Sequence, residues 1–274
     1  MLADHTLLYD EACPMCQWYT GAFVKHGFLD GQGRTPFTQE TLCNYGDVDV
    51  DRARHQIALV KRSTGEVQYG TAGLSYILGH RWPWLRPLLE APWFQALLQP
   101  LYGLISYNRK VIALDRRPES EQSCLPDFHW GYRIAYLLLA TAFTVLSVTT
   151  LSAYLVPLVP GASWTRELLT VLGMVGVQWG LTWQYATQRR MHYLGHMLTV
   201  SLIGSLLLWP LIWLAPWLAT QGLGASFLAG LICGVVLLMT YLHSQRVKAL
   251  RMPGWLTVTW FAYRGVALWV ILLA

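Results

Sequence analysis

Two cysteines three residues apart, Cys13 and Cys16, stand in the stretch YDEACPMCQWY at positions 9–19. A CxxC pair supports three kinds of chemistry. As a dithiol it exchanges with a disulfide through a mixed-disulfide intermediate; as half of a four-ligand set it holds zinc; left inert, two cysteines pack as small hydrophobes. Pro14 follows Cys13 directly and suits the first position of a helix, which puts Cys13 at a helix N-terminus. There the free N–H groups and the positive dipole end favour thiolate over thiol. Cys16 lies one turn inside, placed to attack a mixed disulfide on Cys13 and release the partner. Zinc would need further ligands, and Cys43 with His55 or His26 offers them only at irregular spacing. Asp10, just before the pair, either positions a sulfur or forms the turn.

The second half of the chain carries other candidates. Arg264, in WFAYRGVALW, sits about ten residues from either end of an apolar run, or roughly 15 Å by helical rise. An arginine that deep in a membrane is costly and points to function. Glu167 is the only acid after Asp127, so an anionic ligand, a lipid or quinone head group, or backbone carbonyls remain as partners. The alternative is a displaced helix from which Arg264 snorkels to the interface. His192 and His196, four apart on one helix face, lie at the same membrane side as His243. Together they are candidate ligands for a metal or haem, or ordinary interfacial histidines. Cys233 reads as a lone packing residue in mid-span, and Cys124 as an exposed thiol in a polar linker.

What must position the dithiol is a small α/β unit. The run at 6–9 predicts a strand, and a helix follows from Pro14 to a stop at Gly27. A second strand is expected near 35–38. QIALV (56–60) and EVQYG (66–70), joined by KRSTG, predict a hairpin, with a helix near 71–79 after it. In the aromatic stretch that follows, 82–109, prolines 83, 87, 92 and 100 predict short helices in place of one long one. That stretch is read as covering the sheet, with the bilayer surface as its alternative seat.

Composition changes beyond a polar, turn-rich linker at 115–131. Of 274 residues 54% are hydrophobic and 14 are tryptophan, a balance suited to a membrane and its interfaces. The net charge of +5 divides unevenly: residues 1–127 sum to −2 and residues 128–274 to +7. The basic excess therefore belongs to the apolar half, where it reports topology and not nucleic-acid binding. Five apolar runs, at 132–156, 167–187, 193–218, 224–243 and 254–273, are each near the ~20 residues that cross a bilayer. The third contains Pro210 and Pro216, so a kink or early end is expected there. Arg189, Arg190 and His192 fall between the second and third, and Arg246, Lys248 and Arg251 between the fourth and fifth. Positive-inside logic puts both loops in the cytosol, the N-terminal unit with them and the C-terminus outside. Residues 1–30 lack the basic-then-apolar pattern of a signal peptide, which agrees with a cytosolic dithiol in a reducing compartment.

The run YDEACPMC resembles the D-x-x-C-x-x-C signature of the DCC family of predicted thiol–disulfide oxidoreductases, with Asp10, Cys13 and Cys16 matching it. GTAGLSYIL (70–78), a W-x-W, the proline-broken stretch and YGLISYNR are similar to that family's C-terminal portion. The resemblance covers about residues 5–112 and none of the membrane region. It implies a thioredoxin-like fold in which Cys13 attacks and Cys16 resolves. One departure stands out: thioredoxins generally carry a cis-proline loop before the hairpin strand, and DRARHQ (51–56) has no proline.

The expectation is an α/β thioredoxin-like domain over 1–114, joined by the linker to an all-α membrane bundle over 132–274. Its chemistry would be dithiol exchange with a thiol or disulfide partner, protein or small molecule, needing no cofactor. A quinone, haem or metal in the membrane region stays open. Two alternatives remain: a membrane protein whose dithiol binds or delivers a metal, and a transporter or lipid-binding bundle regulated by a redox domain.

Overall fold

The computed structural model describes residues 1–38, 41, 45, 47–114, 127–156, 158–221 and 224–273. Cys43, Cys124 and most of the expected linker lie outside the described residues. The chain divides into two units, Met1–Tyr132 and Arg133–Ala274.

The first unit is built on a mixed four-stranded sheet. Strand β1, His5–Tyr9, is buried along its whole length and leads through a tight turn into helix α1, Pro14–Lys25. Gly27, with a φ of 69°, ends that helix in the left-handed conformation that glycine adopts without strain. Strand β2, Arg34–Pro36, returns parallel to β1. The short helix α2, Val50–His55, precedes strands β3 (Ala58–Lys61) and β4 (Val67–Tyr69), which form the expected hairpin. The strand order is β2-β1-β3-β4, with β3 antiparallel to both β1 and β4.

Side-chain alternation along the strands divides the apolar residues between the two faces. Leu7 and Leu59 join Leu2, Leu29, Ile57 and Ile77 in one core cluster, against which Tyr19 and Phe23 of α1 pack. Leu8, Ala58 and Val60 join Val48 and Ala53 in the other cluster, with Phe37 and Tyr69. Helix α3, Gly70–Arg81, follows β4, and the aromatic stretch then forms a short turn, helix α4 (Arg86–Glu90) and helix α5 (Pro92–Ile112). Here the structure corrects the sequence reading. Pro83, Pro87 and Pro92 open segments as expected, but Pro100 lies inside the 21 residues of α5. A proline in a helix interior forfeits one hydrogen bond, and side-chain bonds from α5 back to the domain hold the helix together across it.

The second unit is helical. Helix α6 covers Trp130–Ser152, α7 Trp164–Leu181, α8 Thr187–Thr220, α9 Ala225–Ala249 and α10 Trp255–Leu273. Four stretches, Trp130–Ser152, Thr187–Leu218, Ala225–Ala249 and Trp255–Leu273, are long and apolar enough to cross a bilayer, and they fit an integral membrane protein. The second expected span, 167–187, corresponds to α7, which falls short because its 18 residues include Arg166, Glu167 and Gln178. Helix α8 runs through Pro210 and Pro216 with no early end. Polar side chains join the helices: the hydroxyls of Tyr136 and Thr199 are 2.7 Å apart, and Trp209 Nε1 donates to Ser147 Oγ at 3.1 Å. Cys233, read from sequence as a packing residue, is exposed on α9.

Candidate functional site

The site begins where β1 stops. Asp10 closes the turn by accepting the Ala12 N–H on its carboxylate at 2.9 Å and the Cys13 N–H on its carbonyl at 3.1 Å. Pro14 fixes the first helical residue and Cys13 becomes the N-cap of α1, so its sulfur takes the role a serine oxygen often fills. The Cys16 N–H donates to Cys13 Sγ at 3.4 Å. Both thiols are free, and both are nearly closed off, Cys13 at 7% exposure and Cys16 at 2%. Tyr9, Met15 and Tyr19 pack around them.

The two sulfurs differ chemically. The Cys13 thiol is lowered from an ordinary 9.0 to about 7, first by a hydrogen bond from the Cys16 thiol, which outweighs the opposing effect of burial. The Cys16 N–H and the Arg109 cation lower it further, and the Asp10 carboxylate works the other way. Cys16 moves upward, because the same thiol bond and its burial both favour its protonated form. Of the two, Cys13 is therefore the sulfur that gives up its proton first, while Cys16 keeps its own.

Arg109 is the residue that sequence reasoning missed. It sits near the C-terminal end of α5, buried, with Nη2 3.5 Å from Asp10 Oδ2 and donating to the Arg54 carbonyl at 3.3 Å. The available signal was helical spacing: Tyr102, Ser106 and Arg109 at i, i+4 and i+7 put three polar groups on one face of the helix. Each of the three is used. The Tyr102 hydroxyl accepts the Ile57 N–H at 2.9 Å, and Ser106 Oγ donates to the His55 carbonyl at 2.5 Å. Tyr102 and Ser106 also line a polar cleft of about 850 Å³ whose walls include Gln68 and Tyr107.

The membrane-unit candidates are held in other ways. Arg264 donates from Nη2 to Ser201 Oγ at 3.2 Å, and its guanidinium lies 4.1 Å from the centre of the Trp260 ring. His243 stacks on the same indole at 4.7 Å, with Nδ1 3.0 Å from Thr257 Oγ1 and Nε2 3.3 Å from the Tyr193 hydroxyl. His196 Nδ1 lies 3.0 Å from Arg246 Nη1. A guanidinium only donates, so that nitrogen of His196 is an acceptor. His196 on α8 and His243 on α9 thus face different partners, and His192 precedes His196 on α8. Among the described residues no group of three or more His, Cys, Asp or Glu side chains is placed to hold a metal ion.

Comparisons of the chain with models of protein families, with curated proteins and with solved structures returned no match.

Proposed function

We propose that the chain is a membrane-anchored thiol–disulfide oxidoreductase whose working group is the Cys13–Cys16 dithiol. One observation carries this reading: a cysteine sulfur at a helix N-cap, bonded by the Cys16 N–H at 3.4 Å and lowered to about 7 beside a second thiol held protonated. The strand order β2-β1-β3-β4, with a parallel β1–β2 pair and an antiparallel β3–β4 hairpin, supports a thioredoxin-like reading of the first unit. The resemblance of Asp10, Cys13 and Cys16 to the DCC signature supports it from the sequence side.

In the reducing direction the Cys13 thiolate attacks one sulfur of a partner disulfide. A Cys13–partner S–S bond forms, the partner's own S–S bond breaks, and the second partner sulfur departs as a thiolate. Cys16 gives its proton to that leaving thiolate and attacks Cys13 Sγ. The Cys13–Cys16 disulfide forms, and the first partner sulfur leaves and takes a proton from solvent. Two electrons pass from the dithiol to the partner, and the reverse sequence oxidises a partner dithiol. Turnover of a disulfide substrate by the reduced protein tests the reading. Cys13→Ser is expected to abolish it, and activity retained by that variant contradicts the proposal.

The side of the membrane depends on α7, which we read as a fifth crossing. Its 18 residues span about 27 Å. Buried Gln178 ties it to the bundle, accepting from the Tyr193 hydroxyl at 2.8 Å and donating to Thr259 Oγ1 at 3.2 Å. With five crossings the dithiol unit shares the cytosolic side with the basic loops near Arg189 and Arg251.

A further inference from the structure

Helix α5 is amphipathic in the inverted sense. Its polar side chains face the domain: Gln95 donates to Ser75 Oγ at 2.8 Å, Tyr102 accepts from Ile57, Ser106 donates to His55, and Arg109 reaches Asp10. Its apolar side chains at i, i+4, i+8 and i+12, namely Trp93, Leu97, Leu101 and Ile105, are exposed, Trp93 at 65%. They make a stripe about 18 Å long by helical rise, and Trp84, 75% exposed, precedes it. An exposed apolar face of this kind marks an interaction surface.

We propose that this face of α5 lies in the bilayer interface, with the stripe at the level of the lipid head groups and upper acyl chains. Three observations select lipid as the occupant. The same chain carries four helices fit to cross a membrane. The charge also fits: Glu90, the only acid from position 67 to 114, is paired with Arg86 at 2.8 Å, and Arg81 is exposed, a net positive balance that suits anionic head groups. Tryptophan is also the side chain that bilayer interfaces favour. The proposal rests on the membrane helices and is independent of the dithiol chemistry.

The test places a benzophenone amino acid at Leu97, and separately at Leu101, in the full-length chain. The protein is reconstituted in nanodiscs of phosphatidylcholine and phosphatidylglycerol. Both positions are exposed, so the substitutions spare the core, and unchanged thermal melting checks that. Leu237 on α9, 65% exposed, is the lipid-facing control, and Thr64 in the β3–β4 turn the polar one. Lipid adducts are expected at Leu97 and Leu101, within about threefold of Leu237 and about tenfold above Thr64 for an interfacial helix. Cross-links to a second copy or to another segment of the chain would overturn the proposal. So would the absence of lipid adducts at both positions while Leu237 forms them.

Discussion

A thiolate at Cys13 must be stabilised inside a nearly closed site, and the residues that do it come from two distant parts of the chain. Cys16 supplies a thiol and an N–H; Arg109 supplies a cation from α5. Alkylation of reduced protein by iodoacetamide is expected to follow the thiolate, half-maximal near pH 7 and level about one unit above it. Arg109→Ala removes a cation that favours the thiolate, so the midpoint should move upward; an unchanged midpoint would deny Arg109 that role. The Asp10–Arg109 pair is buried at both ends. Asp10→Asn leaves the guanidinium without its carboxylate and should cost about 3–5 kcal/mol in denaturant unfolding, with the Asp10→Asn/Arg109→Met double variant losing less than the sum. Cys13, Cys16 and Asp10 were legible because motif and helix cap are local in sequence. Arg109 was not, since its partner is reached only through the fold.

Among the elements, α5 ties the first unit together through polar bonds as well as through buried Val111. Tyr102→Phe leaves the Ile57 N–H without its acceptor and should lower stability by about 1–3 kcal/mol, read as a shifted unfolding midpoint at unchanged slope. Strand β1, helix α1, the β3–β4 hairpin and α3 follow from turn residues and apolar spacing, which act over a few positions. Pro100 misleads because its cost is local while its compensation is tertiary. The six-residue α2 escapes notice because it is short and closed by its own Asp49 cap, which accepts the Arg52 N–H at 3.0 Å.

For the whole molecule, the parity of crossings decides on which side the Cys13–Cys16 pair lies. The basic loops near Arg189 and Arg251 share a side whether or not α7 crosses, because α8 and α9 separate them. If α7 crosses, the first unit shares that side; if it does not, the first unit lies opposite. The five apolar runs fall on helices α6–α10, and α7 is the least apolar because the Arg166–Glu167 pair, whose nitrogen and oxygen lie 3.0 Å apart, stands inside its first turn. A green fluorescent reporter fused in the 244–251 region and one fused to the N-terminus should both fluoresce in the cytosol. A reporter that is dark at the N-terminus alone would remove the fifth crossing.

In the proposed exchange Cys13 attacks and Cys16 resolves. Cys16→Ser leaves the attacking sulfur in place and removes the group that breaks the mixed disulfide. Full-length Cys16→Ser protein, reduced and then exposed to membranes and cytosol, should be recovered disulfide-linked through Cys13 to a partner that excess dithiothreitol releases. No linked partner, under conditions in which a thioredoxin trap variant yields one, would rule out exchange through Cys13.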